Sequence, residues 1–289
     1  MVTASSGTNG FLGIPNLKNM VYENRMTYAD KWGRPKYPLY LAKLTTSGYD
    51  FMWANISSYD FGEKIYWNKI PVLQDALVRY PNAKWIWWMD IDIIIMNMNL
   101  DMYTHVLSRE GMMKNLVFDS VINKVGGGPS GWKTPAVLDP EDVNFLIASG
   151  GWGMNVGNFL MRRSEWTDWL LEMWADPLAI AQNWTLPEND GWTHMYRNHK
   201  IVRDHTGCTN QNALNPYPAY NTLGSHWKPL DPFIHFAGCG SGKKCPGEWN
   251  KYWEQKEKYE APIWITKQIE DGTAHIEDTI KGKPNPPRP

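Results

Sequence analysis

Two aspartates one residue apart, Asp90 and Asp92, follow the apolar run Trp85-Ile86-Trp87-Trp88-Met89 and lead into Ile93-Ile94-Ile95-Met96. The run is too short for most helices and rich in aromatics, which reads as a buried strand. Two carboxylates inside such a stretch are costly to bury unless something positive meets them. A divalent cation does so, with the carboxylates as hard oxygen ligands. In an open α/β sheet, ligands bind beyond the C-terminal ends of strands. The pair is therefore placed to hold Mn²⁺ or Mg²⁺ against a diphosphate, where the cation stabilises charge on a departing nucleotide. A solvated strand-end pair is the plainer alternative, and the strand in front of it is what argues for a site. His235, in Phe233-Ile234-His235-Phe236-Ala237-Gly238-Cys239, reads either as a hydrogen-bonded core histidine or as a third ligand. Glu188-Asn189-Asp190 opens a helical segment, where carboxylates are also favoured by the helix dipole alone.

The elements around these residues alternate. Leu17, Val21, Tyr28 and Trp32 share one helical face, with Gly33 as a stop. Phe51-Met52-Trp53-Ala54 is strand-length, and Pro71 suits the first turn of a helix carrying Leu73, Ala76, Leu77 and Tyr80. Ser164 is placed to cap a helix with Trp166, Leu170, Met173 and Trp174 on one stripe. Glu188 to Asn198 and Glu248 to Lys258 read as helices. Strands alternating with helices predict an α/β fold with a central, mostly parallel sheet flanked by helices. Lys124 to Gly131 lacks the spacing of a phosphate loop and reads as a mobile surface loop. No repeat or linker appears, so one domain is expected over residues 1–269, with 270–289 a largely irregular, proline-rich tail.

Composition narrows the classes. With 29 Lys+Arg against 30 Asp+Glu, the chain has no general attraction for nucleic acid. No stretch approaches the roughly 18 apolar residues of a membrane span. Three cysteines are too few for a disulfide scaffold. The 17 tryptophans suit either core packing or stacking on sugar rings. Those on helices are expected to pack, whereas Trp152, Trp192 and Trp227, beside polar turns or glycine, are candidates for touching an acceptor sugar.

Three ordered segments, Trp85 to Asp92, Gly153 to Arg163 and His235 to Cys239, together resemble the fungal Golgi α-galactosyltransferase and α-mannosyltransferase family, related to plant xyloglucan α-xylosyltransferases. The similarity runs from Thr3 to about Trp253. It implies a GT-A fold, a nucleotide-sugar donor, Mn²⁺ dependence and retention of anomeric configuration. It also implies a type II membrane protein of the Golgi, with its catalytic domain in the lumen and its anchor upstream of Met1. Carried over by residue, Thr3, Ala4, Ser5 and Gly7 match the strand and turn that cradle base and ribose. Asp90 and Asp92 match the metal and ribose pair, and His235 the distal metal ligand. Gly238 matches backbone near the phosphates, with Lys243 or Lys244 reaching back to them. Asn155, Gly157 and Asn158 match a turn lining the sugar pocket, and Glu188, Asn189 and Asp190 an acidic segment near the anomeric carbon. Asn189, Gly191 and Trp192 depart from the family's usual residues there, as do Gly150 and Gly240 elsewhere. An oxidising lumen favours a Cys239–Cys245 disulfide and makes Asn55 and Asn183, in their sequons, candidate glycosylation sites.

These features predict a retaining, metal-dependent α-hexosyltransferase. The expected donor is GDP-mannose, with UDP-galactose next, and the expected acceptor is mannan or an N-glycan. A non-catalytic subunit, working with other glycosyltransferase subunits of a Golgi mannosyltransferase complex, and a metal-dependent sugar-binding module are the alternatives.

Overall fold

Alternate side chains of the strand Trp85–Met89 enter different cores: Ile86 and Trp88 on one face, Trp87 and Met89 on the other. Both faces of the sheet are covered, which explains why this strand is apolar at every position rather than at every second one. The computed structural model describes residues 1–5, 11–33, 48–59, 65–124, 126–222, 224–239 and 245–274. In chain order the strands are β1 (Val2–Ser5), β2 (Met52–Asn55), β3 (Trp85–Met89), β4 (Ile93–Ile95), β5 (Val121–Asn123), β6 (Pro129–Lys133), β7 (Phe145–Gly150), β8 (Gly153–Arg162), β9 (Thr206–Asn210) and β10 (Phe233–His235). The helices are α1 (Leu17–Gly33), α2 (Lys69–Arg79), α3 (Arg109–Asn115), α4 (Glu165–Trp174), α5 (Pro177–Ala181), α6 (Pro187–Asn198), α7 (Lys200–Asp204), α8 (Gln211–Leu214), α9 (Cys245–Gln255) and α10 (Ile263–Glu270).

The central sheet has the order β2-β1-β3-β8-β7-β9. Its β2–β1, β1–β3 and β7–β9 pairs are parallel, and β8 runs antiparallel to both neighbours. The expected α/β architecture is thus present as a mixed sheet of mostly parallel strands. Helices α2, α4 and α6 cover one face with Leu73, Ala76, Leu170, Trp174, Trp192 and Tyr196. Tyr28 of α1, Met112 of α3 and Leu214 of α8 help cover the other. A two-stranded antiparallel sheet, β4 with β10, packs with α1, α9 and α10 around a third core. Ser164 caps α4 by accepting from the Thr167 amide. The Cys239–Cys245 disulfide joins the end of the β10 segment to α9, while Cys208 is a buried free thiol. Asn55 and Asn183, the sequon asparagines, are both exposed.

Three expectations are corrected. The segment around Lys124 to Gly131 belongs to a β5–β6 hairpin, in which Gly126, Gly127 and Gly128 adopt positive φ (Val125 lies outside the described residues). The predicted 248–258 helix starts and ends three residues earlier, at Cys245 and Gln255. Trp192 cannot stack on an acceptor sugar: it is 0% exposed, lies 4.0 Å from the Phe145 ring and packs on Trp174. It faces inward because Gly191 lets α6 approach Trp67, whose Cη2 would stand 2.6 Å from a Cβ there. The boundary expected at residue 270 falls on the last residue of α10, and most of the expected tail lies outside the described residues. No helix among the described residues is long and apolar enough to cross a membrane.

Removing Trp192 deletes one of the largest buried rings. Trp192→Ala is expected to destabilise the chain by about 3–5 kcal/mol, measured by denaturant unfolding. A loss under about 1 kcal/mol would contradict the inward placement.

Candidate metal and donor site

Strand pairing assembles the site. In the β3–β8 ladder Met89 pairs with Asn158, and the Asp90 amide then donates to the Gly157 carbonyl at 2.7 Å. In the β4–β10 ladder Ile93 pairs with His235, and the Phe236 amide donates to the Asp92 carbonyl at 2.9 Å. The turn Asp90-Ile91-Asp92 is therefore held between two registers, one bringing Gly157 and the other His235. Ligand atoms of Asp90, Asp92 and His235 all lie within 4.8 Å of one another. His235 Nε2 is 3.4 Å from Asp92 Oδ1. A Cβ on Gly157 would stand 2.3 Å from His235 Cε1 and 3.0 Å from Asp90 Oδ2, so only glycine leaves room there. Two carboxylates and one imidazole, converging without crowding, fit a divalent ion.

The acidic centre is balanced by buried cations. Lys69, on the first turn of α2, has a side chain only 4% exposed. Its ammonium donates to the Val156 carbonyl at 2.8 Å and to Glu188 Oε1 at 3.2 Å, and lies 3.2 Å from Asp90 Oδ1. Trp88 Nε1 also donates to Asp90 Oδ1, at 2.6 Å, so Oδ2 is the freer oxygen of that carboxylate. Burial alone would lower the Lys69 pKa, but Asp90 and Glu188 more than reverse this and hold it above the ordinary value. Burial raises Glu188, the Lys69 charge opposes that, and Asp90 adds to it; the net direction is upward. Burial acts to raise Asp92 as well, but a charged His235 and, more weakly, Lys69 leave it below its ordinary value. Arg25, wholly buried, donates to the carbonyls of Asp90 and Ile93 at 3.0 Å each.

The remaining sequence-predicted residues divide. Asn155 and Gly157 adjoin the trio: Asn155 Oδ1 accepts from Gly157 N and would crowd a Gly157 Cβ. Asn158 does not line a pocket. It is fully buried, accepting from Trp87 Nε1 and donating to the Leu214 carbonyl. Thr3 is likewise fully buried; its hydroxyl donates to the Met89 carbonyl and accepts from Arg25. Ala4 and Ser5 are buried at the end of β1. Gly238 has φ +72° and open space where a Cβ would be, which suits close approach of a ligand. Gly7, Gly240, Lys243 and Lys244 lie outside the described residues.

Of the acidic segment, Glu188 alone reaches Lys69. Asn189 is corrected to an anchoring role: its amide donates to the Met154 carbonyl and accepts from the Val156 amide, tying α6 to β8. Asp190 folds back to accept from the Leu186 amide at the helix start. Trp152 and Trp227 are half-buried; Trp152 Nε1 donates to Asn221, and Trp227 packs edge-on against Tyr252. Sequence reasoning missed Lys69, Arg25 and Asn215, the last a buried partner of His235. A signal existed for the first two. Lys69 extends the stripe of Leu73, Ala76 and Tyr80, and Arg25 falls on the stripe of Leu17, Val21, Tyr28 and Trp32. A cation on an apolar face points inward.

The model of the galactosyl transferase GMA12/MNN10 family matches residues 1–246. An α-1,2-galactosyltransferase of Schizosaccharomyces pombe is 32% identical over 238 residues, covering 81% of this chain and 62% of its own length. A Saccharomyces cerevisiae protein named probable α-1,6-mannosyltransferase MNN10 is 28% identical over 264 residues, covering 87% of this chain and 62% of its own. The chain thus spans about three fifths of these curated relatives. Among solved structures, a glycosyltransferase involved in the glycosylation of the major capsid of PBCV-1 superposes with a TM-score of 0.54 at 11% identity, over 86% of this chain and 97% of that one. At that identity the likeness bears on the fold alone, which is GT-A.

Because the folded Glu188 pKa is raised, the fold penalises the carboxylate more than the unfolded chain does. Its contribution is then fully present below the unfolded value of about 4.3 and is lost as pH rises through the folded value. Glu188→Gln, which cannot ionise, is expected to gain stability relative to wild type between about pH 4 and pH 7. Paired unfolding curves at the two pH values check this; a gap moving the other way reverses the sign.

Proposed function

As the chain belongs to the galactosyl transferase GMA12/MNN10 family, we propose that it is a retaining, metal-dependent α-hexosyltransferase that moves a hexose from a nucleotide sugar onto a mannan or N-glycan acceptor. The observation that carries the reading is the convergence of Asp90, Asp92 and His235 beyond the end of β3, linked to Glu188 through Lys69. The greater similarity to an α-1,2-galactosyltransferase than to the mannosyltransferase described supports UDP-galactose as donor ahead of GDP-mannose. An α-linked product from an α-linked donor retains configuration.

Asp90 (through Oδ2), Asp92 and His235 would hold Mn²⁺ or Mg²⁺. Bound there, the ion would neutralise a diphosphate and the charge that grows on it as the glycosidic bond breaks. Gly238, with open space above it, leaves the phosphates room to approach backbone. Glu188 is the negative group offered to the sugar. In a double displacement its carboxylate attacks the anomeric carbon as the bond to the nucleoside diphosphate breaks, and the acceptor hydroxyl then displaces it, giving its proton to the departed phosphate. In a front-face reaction it faces the developing oxocarbenium charge while the leaving phosphate takes the acceptor proton. Lys69 keeps the Glu188 carboxylate oriented in either route. A Golgi-lumen setting agrees with the Cys239–Cys245 disulfide, which an oxidising compartment maintains, and membrane anchoring belongs to the same reading. The reading extends to assembly with other glycosyltransferase subunits.

Incubating the purified chain with Mn²⁺ and each nucleotide sugar, and measuring released UDP or GDP, tests the proposal. Wild type is expected to release one of them, with Asp92→Ala losing the activity while its unfolding transition persists. Glu188→Gln is expected to lose at least about 10²-fold in kcat with donor affinity kept within a few-fold. Donor binding without turnover by wild type would instead support a non-catalytic subunit, and a fully active Asp92→Ala would sink the metal assignment.

A further inference from the structure

A single backbone donor determines the hydrogen-bond directions of two side-chain amides and an imidazole. The Gly157 N–H, which can only donate, points at Asn155 Oδ1 at 2.9 Å. That atom is therefore the amide oxygen, and Asn155 cannot flip without setting its NH₂ against the Gly157 N–H. The second group on Asn155 Oδ1, 2.8 Å away, must then be a donor, which makes it Asn215 Nδ2. Asn215 Oδ1 is thereby turned to His235 Nδ1, also at 2.8 Å. An acceptor at that distance requires a proton on Nδ1. On the ring's other side, Nε2 stands 3.4 Å from Asp92 Oδ1, longer than an ordinary N–H···O bond.

The relay is rigid. Asn215 and His235 are both buried. The Asn215 amide donates to the Gln211 carbonyl at 2.7 Å, and its own carbonyl accepts from Gln211 Nε2 at 3.0 Å. The His235 amide donates to the carbonyl of Pro216, the residue after Asn215, at 2.9 Å. Tyr217 meets the imidazole edge-on. We infer that Asn215 is a positioning residue: with Asn155 it fixes neutral His235 in the tautomer protonated at Nδ1. Nε2 then presents its lone pair beside Asp92 before any ion arrives. Without the relay, the Asp92 carboxylate is the better acceptor and draws the proton to Nε2, closing the ligand atom with a hydrogen. An outer partner of this kind typically governs metal affinity by about 10–100-fold. The use of the bare nitrogen rests on the metal reading above; the tautomer does not.

The test uses the full chain labelled with [¹⁵N]histidine, without metal, at about two pH units above the ordinary imidazole value. Two-bond ¹H–¹⁵N spectra report which ring nitrogen carries the proton, and the His235 signal is the one missing from His235→Gln. The expected result is a protonated Nδ1 and a bare Nε2. A proton on Nε2 overturns the inference, and this measurement needs no other variant to fold. In Asn215→Leu, folded by its unfolding curve, the proton is expected on Nε2 and Mn²⁺ titration is expected to show about 10–100-fold weaker binding. A folded Asn215→Leu with wild-type tautomer and affinity also overturns it. A wild type with the Nδ1 proton but no Mn²⁺ binding upholds the relay and removes the metal reading instead.

Discussion

One buried ammonium joins four parts of the chain. Lys69 starts α2, Asp90 follows β3, Val156 lies in β8 and Glu188 lies in the first turn of α6, and Lys69 Nζ contacts the last three. An ammonium has three hydrogens, and each finds an acceptor here. A lysine out of water is expensive unless paired, and so is each carboxylate; together they are tolerable. The arrangement depends on α6 entering at one height, which Asn189 secures by bonding Met154 and Val156 of β8. It also depends on β3 and β8 keeping a register in which Asp90 meets Gly157. The packing of Trp174 and Trp192 behind α6 serves the same end, and Trp174 Nε1 bonds the Glu188 carbonyl directly.

Arg25 does for the backbone of the Asp90–Asp92 turn what Lys69 does for its side chain. It donates to the carbonyls of Asp90 and Ile93, to Asn24 and to the Thr3 hydroxyl. Asn24 in turn receives the Ile95 amide and donates to the Ile95 carbonyl. Helix α1 thus supplies the polar partners that a tight turn between two apolar strands lacks. This also explains why Thr3, at the start of β1, is committed to the interior: it completes the coordination of Arg25 and of the Met89 carbonyl.

The elements were largely legible because each carried its own period. β3 announced itself by aromatic residues at strand length, α4 by an i, i+4, i+7, i+8 stripe behind Ser164, and the aspartates by following β3. The placement of His235 beside the aspartates was legible only conditionally, since the β4–β10 register that brings it to Asp92 is a contact between residues more than a hundred positions apart. Trp192 was misread because a tryptophan beside glycine looks the same in sequence whether the glycine frees a loop or lets a helix approach Trp67. Asn158 was misread for a related reason. Asn155, Gly157 and Asn158 of β8 share a motif but not a face: strand alternation sends Asn158 to the far side, against Trp87, while Gly157 borders the aspartates. Lys69 and Arg25 were overlooked because cations on helices are usually solvated, although their positions on apolar stripes spoke against it.

The pairing of these charges also bears on what the site attracts. The net charge of -1 averages over the whole chain and hides the local balance. Lys69 is spent on Asp90, Glu188 and a carbonyl, and Arg25 on carbonyls, an amide and a hydroxyl. Lys69 has no hydrogen to spare for an incoming phosphate, and Arg25, with four of its five hydrogens bonded, is wholly buried. The groups still open toward a ligand are Asp90 Oδ2, Asp92 and His235 Nε2, which are acceptors. An anionic diphosphate approaching these three side chains would therefore meet acceptors, and its approach to them would be repelled. A divalent ion inverts that balance, turning three acceptors into one positive charge. On the proposed reading, the same buried ion pairs that hold the fold together would make donor binding conditional on an ion, because they keep the hydrogens of Lys69 and Arg25 in the interior.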